Sequence, residues 1–394
     1  MKAERIEIMR SCAKSIEKLC KEIINFSKDK KNIYIYGTGR TGIRCSKLLK
    51  FLDIPVCGFI VSHEKYKNSV RGIDAGIIYT IDEFQVEPKD GVIMASVPKF
   101  FPEILPALKE KTLSYMVYTD AKPILEITTK VGCSVNCKYC PQSKLVAAYQ
   151  AKERDKILSF NSFKTYLDKI PPLVLIRFCG MSEPFLNPEC GKMIRYAVEK
   201  GFDIDLYTTL VGVEQNEFLS LLKILPEGSI TLHLADAFQN CNIPVTKEYV
   251  SMVKSVFASP GRLCNCVSYH GELHPELEGI VPEGTVIWNE MQDRAGNLSE
   301  EEVNVYHQEK SGPVICTENY GYSAMLDCNI LLPNGEVALC CMDYGLEYLL
   351  GNLNEESYLD IRTGENIRKI RKEMLADGDD TLICRRCNLA REIL

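Results

Sequence analysis

No apolar run in the chain approaches the roughly 18 residues that a membrane-spanning helix needs, so no membrane partner is expected. The first residues carry charges where a signal peptide would have its apolar core, so the expected location is the cytoplasm. Excess positive charge is also missing: 47 Lys and Arg stand against 53 Asp and Glu, for a net charge of −6. That balance argues against nucleic acid as the main ligand. The basic run at Lys28, Lys30 and Lys31 is interrupted by Asp29 and reads as a solvated helix end. Histidine is scarce, five residues in all, and none lies between residues 64 and 232.

Cysteine is abundant, at 18 of 394 residues. Without an export signal these read as reduced thiols that are metal ligands, catalytic, or simply buried. Cys133, Cys137 and Cys140 form a CxxxCxxC run with aromatic Tyr139 just before the last thiol. Soft thiolates this close together select zinc or iron–sulfur ligation. A zinc site would ordinarily show a fourth Cys or His nearby, and this stretch has neither. Three ligands around a four-iron cube would instead leave one iron open.

The length exceeds one compact domain, so two or three are expected. Residues 3–28 show apolar positions at helical spacing. A β-rich run at 33–36 then enters a GxGxxG turn at Gly37, Gly39 and Gly42, followed by a helix through about Phe51. Further buried strands are expected at 55–61 and 92–97, with Cys45 and Cys57 as plain buried residues. This is the βαβ opening of a Rossmann-like domain, whose glycines let the backbone approach a diphosphate at a helix N-terminus. An NAD site wants an acid at the end of the second strand, and that strand ends at Val61 and Ser62. The turn is therefore a nucleotide-site candidate, with a purely structural βαβ unit as its alternative.

From about residue 121, strands are expected near 123–129, 173–178, 203–208, 229–234 and 285–290, with helices between. Chemistry in such α/β barrels gathers at the C-terminal strand ends, and the cysteine loop follows the first strand. The CxxxCxxC spacing resembles that of the radical S-adenosylmethionine (radical SAM) superfamily. The segment Gly180, Met181, Ser182, Glu183 resembles the Gly-Gly-Glu-Pro stretch that holds the amino group of SAM there. Gly180 and Glu183 match, whereas Met181 and Ser182 depart from the usual residues. The resemblance implies a 4Fe–4S cluster on Cys133, Cys137 and Cys140. It also implies SAM contacts from the Gly180–Glu183 stretch, Tyr139, Thr208 and Arg294. His233 and Asp236 are placed near the barrel mouth, where they are either substrate contacts or hydrogen-bonded core residues.

A second cysteine set lies in the tail: Cys316, Cys328, Cys340, Cys341, Cys384 and Cys387. Asn334 and Gly335 between two apolar runs read as a tight hairpin turn. The hairpin, Cys340 beyond it and the terminal CxxC resemble the SPASM and twitch domains, which bind auxiliary 4Fe–4S clusters. Only seven residues follow Cys387 and none is Cys, which implies one auxiliary cluster. The expected ligands are Cys316, Cys340, Cys384 and Cys387, with Cys328 as the rival for Cys316. Cys341 alternates to the other strand face and reads as structural. A zinc ribbon is the competing metal assignment. Cys12, Cys20, Cys179, Cys190, Cys241, Cys264 and Cys266 form no convincing site by spacing.

The expected fold class is α/β: a Rossmann-like domain at 1–120, a partial (β/α)6 TIM-like barrel at 121–308, and a small α+β iron–sulfur domain at 309–394. The resemblance implies an enzyme that cleaves SAM reductively and abstracts hydrogen from its substrate. Its cofactors would be SAM and the two 4Fe–4S clusters, with flavodoxin or ferredoxin as reductant. The leading expectation is an oxidoreductase acting on a carbohydrate or aminocyclitol alcohol, free or carried on a nucleotide-sugar. Epimerisation is adjacent to it, with Cys179 or Cys264 returning the hydrogen. A maturase acting on a peptide side chain is the alternative, and a non-catalytic metal scaffold the third.

Overall fold

The computed structural model describes residues 14–67, 77–96, 100–118, 123–150, 155–260, 263–289, 291–299, 309–316, 319–320, 323–324, 328–378 and 381–392. The first part of the helix expected at 3–28 lies outside these residues. The chain folds as two compact units, one of residues 1–122 together with Pro226–Gly228, the other of Pro123–Leu225 and 229–394.

The N-terminal unit runs α1 (Lys14–Ser27), β1 (Asn32–Tyr36), α2 (Arg40–Phe51), β2 (Gly58–Val61), β3 (Ile77–Thr80), β4 (Asp90–Met94), α3 (Phe101–Glu110) and β5 (Ser114–Val117). Its strands lie in the order β3-β2-β1-β4-β5, with every pairing parallel. β2 and β4 are buried along their whole length, as parallel strands covered on both faces should be. Two of the turn glycines are explained by packing. A Cβ on Gly37 (φ +115°) would lie 2.5 Å from Ala95 O, and one on Gly42 would lie 2.0 Å from Gly37 O. Gly39 faces open space. Cys45 is buried as expected, whereas Cys57 is exposed, because it precedes β2 instead of lying within it.

The larger unit begins with β6 (Ile124–Ile127), α4 (Gln142–Gln150), α5 (Phe160–Leu167), β7 (Leu175–Phe178), α6 (Cys190–Glu199), β8 (Ile204–Thr208), α7 (Gln215–Leu221), β9 (Ile230–His233), α8 (Lys247–Ala258) and β10 (Cys264–Ser268). It continues with β11 (Val314–Cys316), β12 (Asn319–Tyr320), β13 (Ser323–Ala324), β14 (Cys328–Leu331), β15 (Glu336–Ala338) and β16 (Leu349–Asn352). It closes with α9 (Tyr358–Thr363), α10 (Glu365–Met374), α11 (Ile383–Arg386) and β17 (Ala390–Glu392). β6 to β10 pair in sequence, all parallel, which gives the α/β partial barrel. On the other side of β6, β14 pairs parallel and leads into the antiparallel β14-β15-β16 ribbon. The fifth strand is β10, not the stretch expected at 285–290. Among the described residues that stretch makes one parallel bridge, Ile287 to Val267, and its Val286 and Ile287 are exposed.

One in-register row crosses the sheet: Glu126 pairs with Arg177, and Arg177 with Asp205. The three charges are buried together, with Arg177 Nη1 3.1 Å from Glu126 Oε1 and Nη2 3.3 Å from Asp205 Oδ2. Breaking such a buried set by removing one member costs about 3–5 kcal/mol. β7 therefore has a fixed register against both neighbours, and the loop after it is aimed by that register.

Candidate active site

The CxxxCxxC loop leaves β6 and is held at several backbone points. Val131 N donates to Lys156 O at 2.8 Å, Lys138 N to Asn240 O at 2.9 Å, and Asn242 N to Val135 O at 2.6 Å. Gly132 and Asn136 take positive φ (92° and 46°), which lets the loop fold back on itself. Cys133, Cys137 and Cys140 are half-buried and line one cavity of about 240 Å³. Burial pushes the Cys133 thiol up, and a hydrogen bond with Cys241 pushes Cys137 up. Metal binding would release these protons. Cys241 belongs to no cysteine motif in the sequence. The 240–242 strap brings it against Tyr139, whose hydroxyl also lies 2.6 Å from His233 Nε2.

The segment after β7 reaches the same cavity. Gly180 has φ +54°, and a Cβ there would lie 2.3 Å from Thr128 Oγ1, so only glycine fits against β6. Met181 N donates to Thr128 Oγ1 at 3.1 Å. The buried Glu183 carboxylate accepts from Thr208 Oγ1 (2.7 Å), Thr209 N (2.6 Å), Thr209 Oγ1 (2.7 Å) and Phe185 N (3.2 Å). Burial raises its pKa and those donors oppose the rise. Two buried atoms of the cavity lining, Ser182 Oγ and Gln142 Oε1, have no protein partner among the described residues. They are acceptors suited to a ligand carrying an ammonium group.

The far wall is polar and aromatic: Tyr207, Thr231, Ser268, His270, Trp288 and Gln292. Arg294 also faces the cavity, from a turn in which it and Ala295 take positive φ. Burial, followed by His233 and Arg294, holds His270 down to about 4, so its ring is neutral at neutral pH. His233 lines the cavity, whereas Asp236 is an anchor whose carboxylate accepts from the backbone of Phe238 and Asn240. Cys179 lines the cavity and Cys264 does not. Cys341 does as well, although the sequence assigned it a structural role.

Cys316, Cys340, Cys384 and Cys387 line a second, separate pocket together with Leu339, Met342, Ile383, Leu389 and Ala390. β11 brings Cys316 there by pairing with β17, and α11 presents Cys384. Arg385, inside the CxxC, is 2 % exposed and donates to the carbonyls of Gly312, Glu373 and Ala376. Cys328 lies elsewhere: its thiol donates to Glu126 Oε1 at 3.4 Å within the Arg177 network.

No three His, Cys, Asp or Glu among the described residues converge on the position of a single ion. A cube-shaped cluster instead takes each thiolate on a different iron. Both pockets fit such a cluster: one offers three thiols with a neighbouring acceptor site, the other four thiols in an apolar surround.

Residues 323–388 match the SPASM family, an iron–sulfur cluster-binding domain. No curated protein matches the chain. Among solved structures, the chain is similar to BtrN in complex with AdoMet and 2-DOIA, at 16% identity over 69% of this chain and 94% of that one, TM-score 0.45. It is also similar to Streptococcus suis SuiB bound to precursor peptide SuiA, at 13% identity over 78% of each chain, TM-score 0.45. A third is native anSMEcpe with bound AdoMet, at 11% identity over 62% of this chain and 82% of that one, TM-score 0.39. The matched segment carries Cys328, Cys340, Cys341, Cys384 and Cys387, and the CxxxCxxC loop lies outside it, after the first strand of the α/β partial barrel. No helix among the described residues is long and apolar enough to cross a membrane.

Proposed function

We propose that the enzyme oxidises an alcohol carbon of a hydroxyl-rich small molecule, a carbohydrate or aminocyclitol, with the four-thiol site receiving one electron. In this reading Cys133, Cys137 and Cys140 hold the SAM-binding cluster, and Cys316, Cys340, Cys384 and Cys387 the auxiliary one. Gly180, Met181, Ser182 and Glu183, with Tyr139, Thr208 and Arg294, hold SAM. Held there as in the radical SAM superfamily, a reduced cluster and SAM would supply the chemistry for taking a hydrogen atom from an unactivated carbon. The observation that carries the proposal is one strand end serving two sites: Cys340 faces the four-thiol pocket while its neighbour Cys341 faces the cavity.

The chain's own part is positional. Tyr207, Thr231, Ser268 and Gln292 offer hydroxyl and amide partners to substrate hydroxyls, and Trp288 offers a flat apolar face. Neutral His270 and the Glu126 carboxylate are the acceptors at hand for a hydroxyl proton. Flavodoxin or ferredoxin is the expected class of reductant. The second reading is a maturase of peptide side chains. Exposed Phe238, Val286 and Ile287 favour it, the last two preceding Trp288 of the cavity wall. The Gly37, Gly39 and Gly42 turn is carried only as a nucleotide-site proposal, since packing already accounts for two of its glycines.

The test uses anaerobically reconstituted protein, comparing wild type with a Cys133/Cys137/Cys140→Ala triple variant. The expected result is about eight irons in wild type, about four in the variant, and 5′-deoxyadenosine release in wild type alone. Ketone formation on a panel of polyols, against modification of a peptide panel, then separates the two readings. A wild type that holds iron and never cleaves SAM would overturn the proposal.

A further inference from the structure

Among the described residues the Cys140 sulfur has two hydrogen-bond neighbours: Tyr344 Oη at 3.5 Å and Gln142 Nε2 at 3.6 Å. Gln142 belongs to the helix that follows the cysteine loop. Tyr344 comes from the SPASM-matched segment, four residues beyond Cys340. The path from Cys340 to Tyr344 is a tight turn. Asp343 N donates to Cys340 O at 3.1 Å and Tyr344 N to Met342 O at 3.0 Å. The fully buried Asp343 carboxylate accepts from Glu347 N at 2.9 Å and Tyr348 N at 2.8 Å, and Asn297 Nδ2 donates to Met342 O at 3.2 Å. Tyr344 itself is 4 % exposed and lines the main cavity. Its hydroxyl is thus fixed against one ligand thiol by a turn that starts at a ligand thiol of the other site.

We propose that Tyr344 is a positioning residue through which the C-terminal segment sets the reduction potential of the cluster held by Cys133, Cys137 and Cys140. The inference rests on the cluster assignments above. A hydroxyl that donates to a ligand thiolate draws electron density off the iron, favours the reduced state and raises the potential. The sulfur of Cys140 is the point of action, so the effect falls on one cluster and spares the other. The same turn makes the two sites one mechanical unit: displacing Cys340 moves the donor at Cys140.

The experiment is a redox titration followed by electron paramagnetic resonance on reconstituted holoprotein, for wild type and Tyr344→Phe. Added SAM identifies the signal of the cluster with the open iron. Removing the hydroxyl keeps the buried ring, so folding is retained. We expect the SAM-responsive signal to become harder to reduce, by threefold to tenfold in the reduction equilibrium, at most about 59 mV for a one-electron couple. The second signal keeps its midpoint. The inference is overturned if the SAM-responsive midpoint is unchanged, or if both midpoints move together as a general loosening would cause. If no wild-type signal responds to SAM, the cluster assignment fails instead, and the two outcomes are distinguishable.

Discussion

Glu183 shows how much of the site depends on a single buried acceptor. Its two oxygens collect four donors from Thr208, Thr209 and Phe185, which ties the turn after β7 to the end of β8. Glu183→Gln puts an amide NH2 among those donors and leaves at least one of them unpaired. We expect a loss of about 2 kcal/mol in stability together with weakened SAM binding, measured by denaturant unfolding and by SAM titration of the reconstituted enzyme. Unchanged stability would mean that the network carries no load. The Gly-x-x-Glu pattern was legible in the sequence, but its physical reason was not. Gly180 is required because Thr128 leaves no room for a Cβ, and that contact joins residues 52 positions apart in sequence. Cys241 is the opposite case: no local spacing signals it, because only the strap that binds the cysteine loop brings it beside Tyr139.

Among elements, β11 and β14 decide which thiol completes the C-terminal set. In sequence, Cys328 rivals Cys316 because it lies close before Gly335, within reach of the same hairpin. Their strands go to different places. β11 pairs with β17 beside the CxxC helix, while β14 joins the barrel edge and buries Cys328 against Glu126. We therefore expect Cys316→Ala to lose the C-terminal cluster, about four irons, and Cys328→Ala to keep it, as counted by iron and sulfide analysis. The reverse pattern would exchange the two assignments. Arg385 carries the same argument into α11. Its guanidinium ends the carbonyl-rich C-terminus of α10 and holds Gly312 near β11, so it spaces Cys316 from Cys384 and Cys387. Arg385→Ala should cost about 3 kcal/mol, because several buried carbonyls lose their donor at once. Its cluster should also be lost faster to a chelator. The sequence showed the hairpin and the parallel strands through their period and turn residues. It misplaced the fifth barrel strand because Val286 to Trp288 looks like a buried run, yet Val286 and Ile287 are exposed.

For the whole molecule, the cluster pockets link metal loading to folding and to pH. Cys384 and Cys387 sit almost wholly in apolar surroundings, and burial pushes both thiols from 9.0 up to about 12. In unloaded protein, these thiols stay protonated in the folded state between those values while they ionise in the unfolded chain. The unfolded state then binds fewer protons, so stability falls as pH rises from about 9 towards 12. Below about 9 both states hold the protons and the contribution to the slope vanishes. Loading reverses the situation: a thiolate on iron has already given up its proton, so the folded holoprotein has nothing left to release in that window. Thermal unfolding at about pH 8 and about pH 10 should therefore show a marked drop for unloaded protein and a much smaller one for holoprotein. Cys384→Ser/Cys387→Ser should flatten the unloaded curve as well, since a serine hydroxyl does not ionise in that range. Equal slopes in all three would show that the four-thiol pocket does not govern the alkaline limit, and that other buried groups such as Cys264, itself raised to about 12, set it instead.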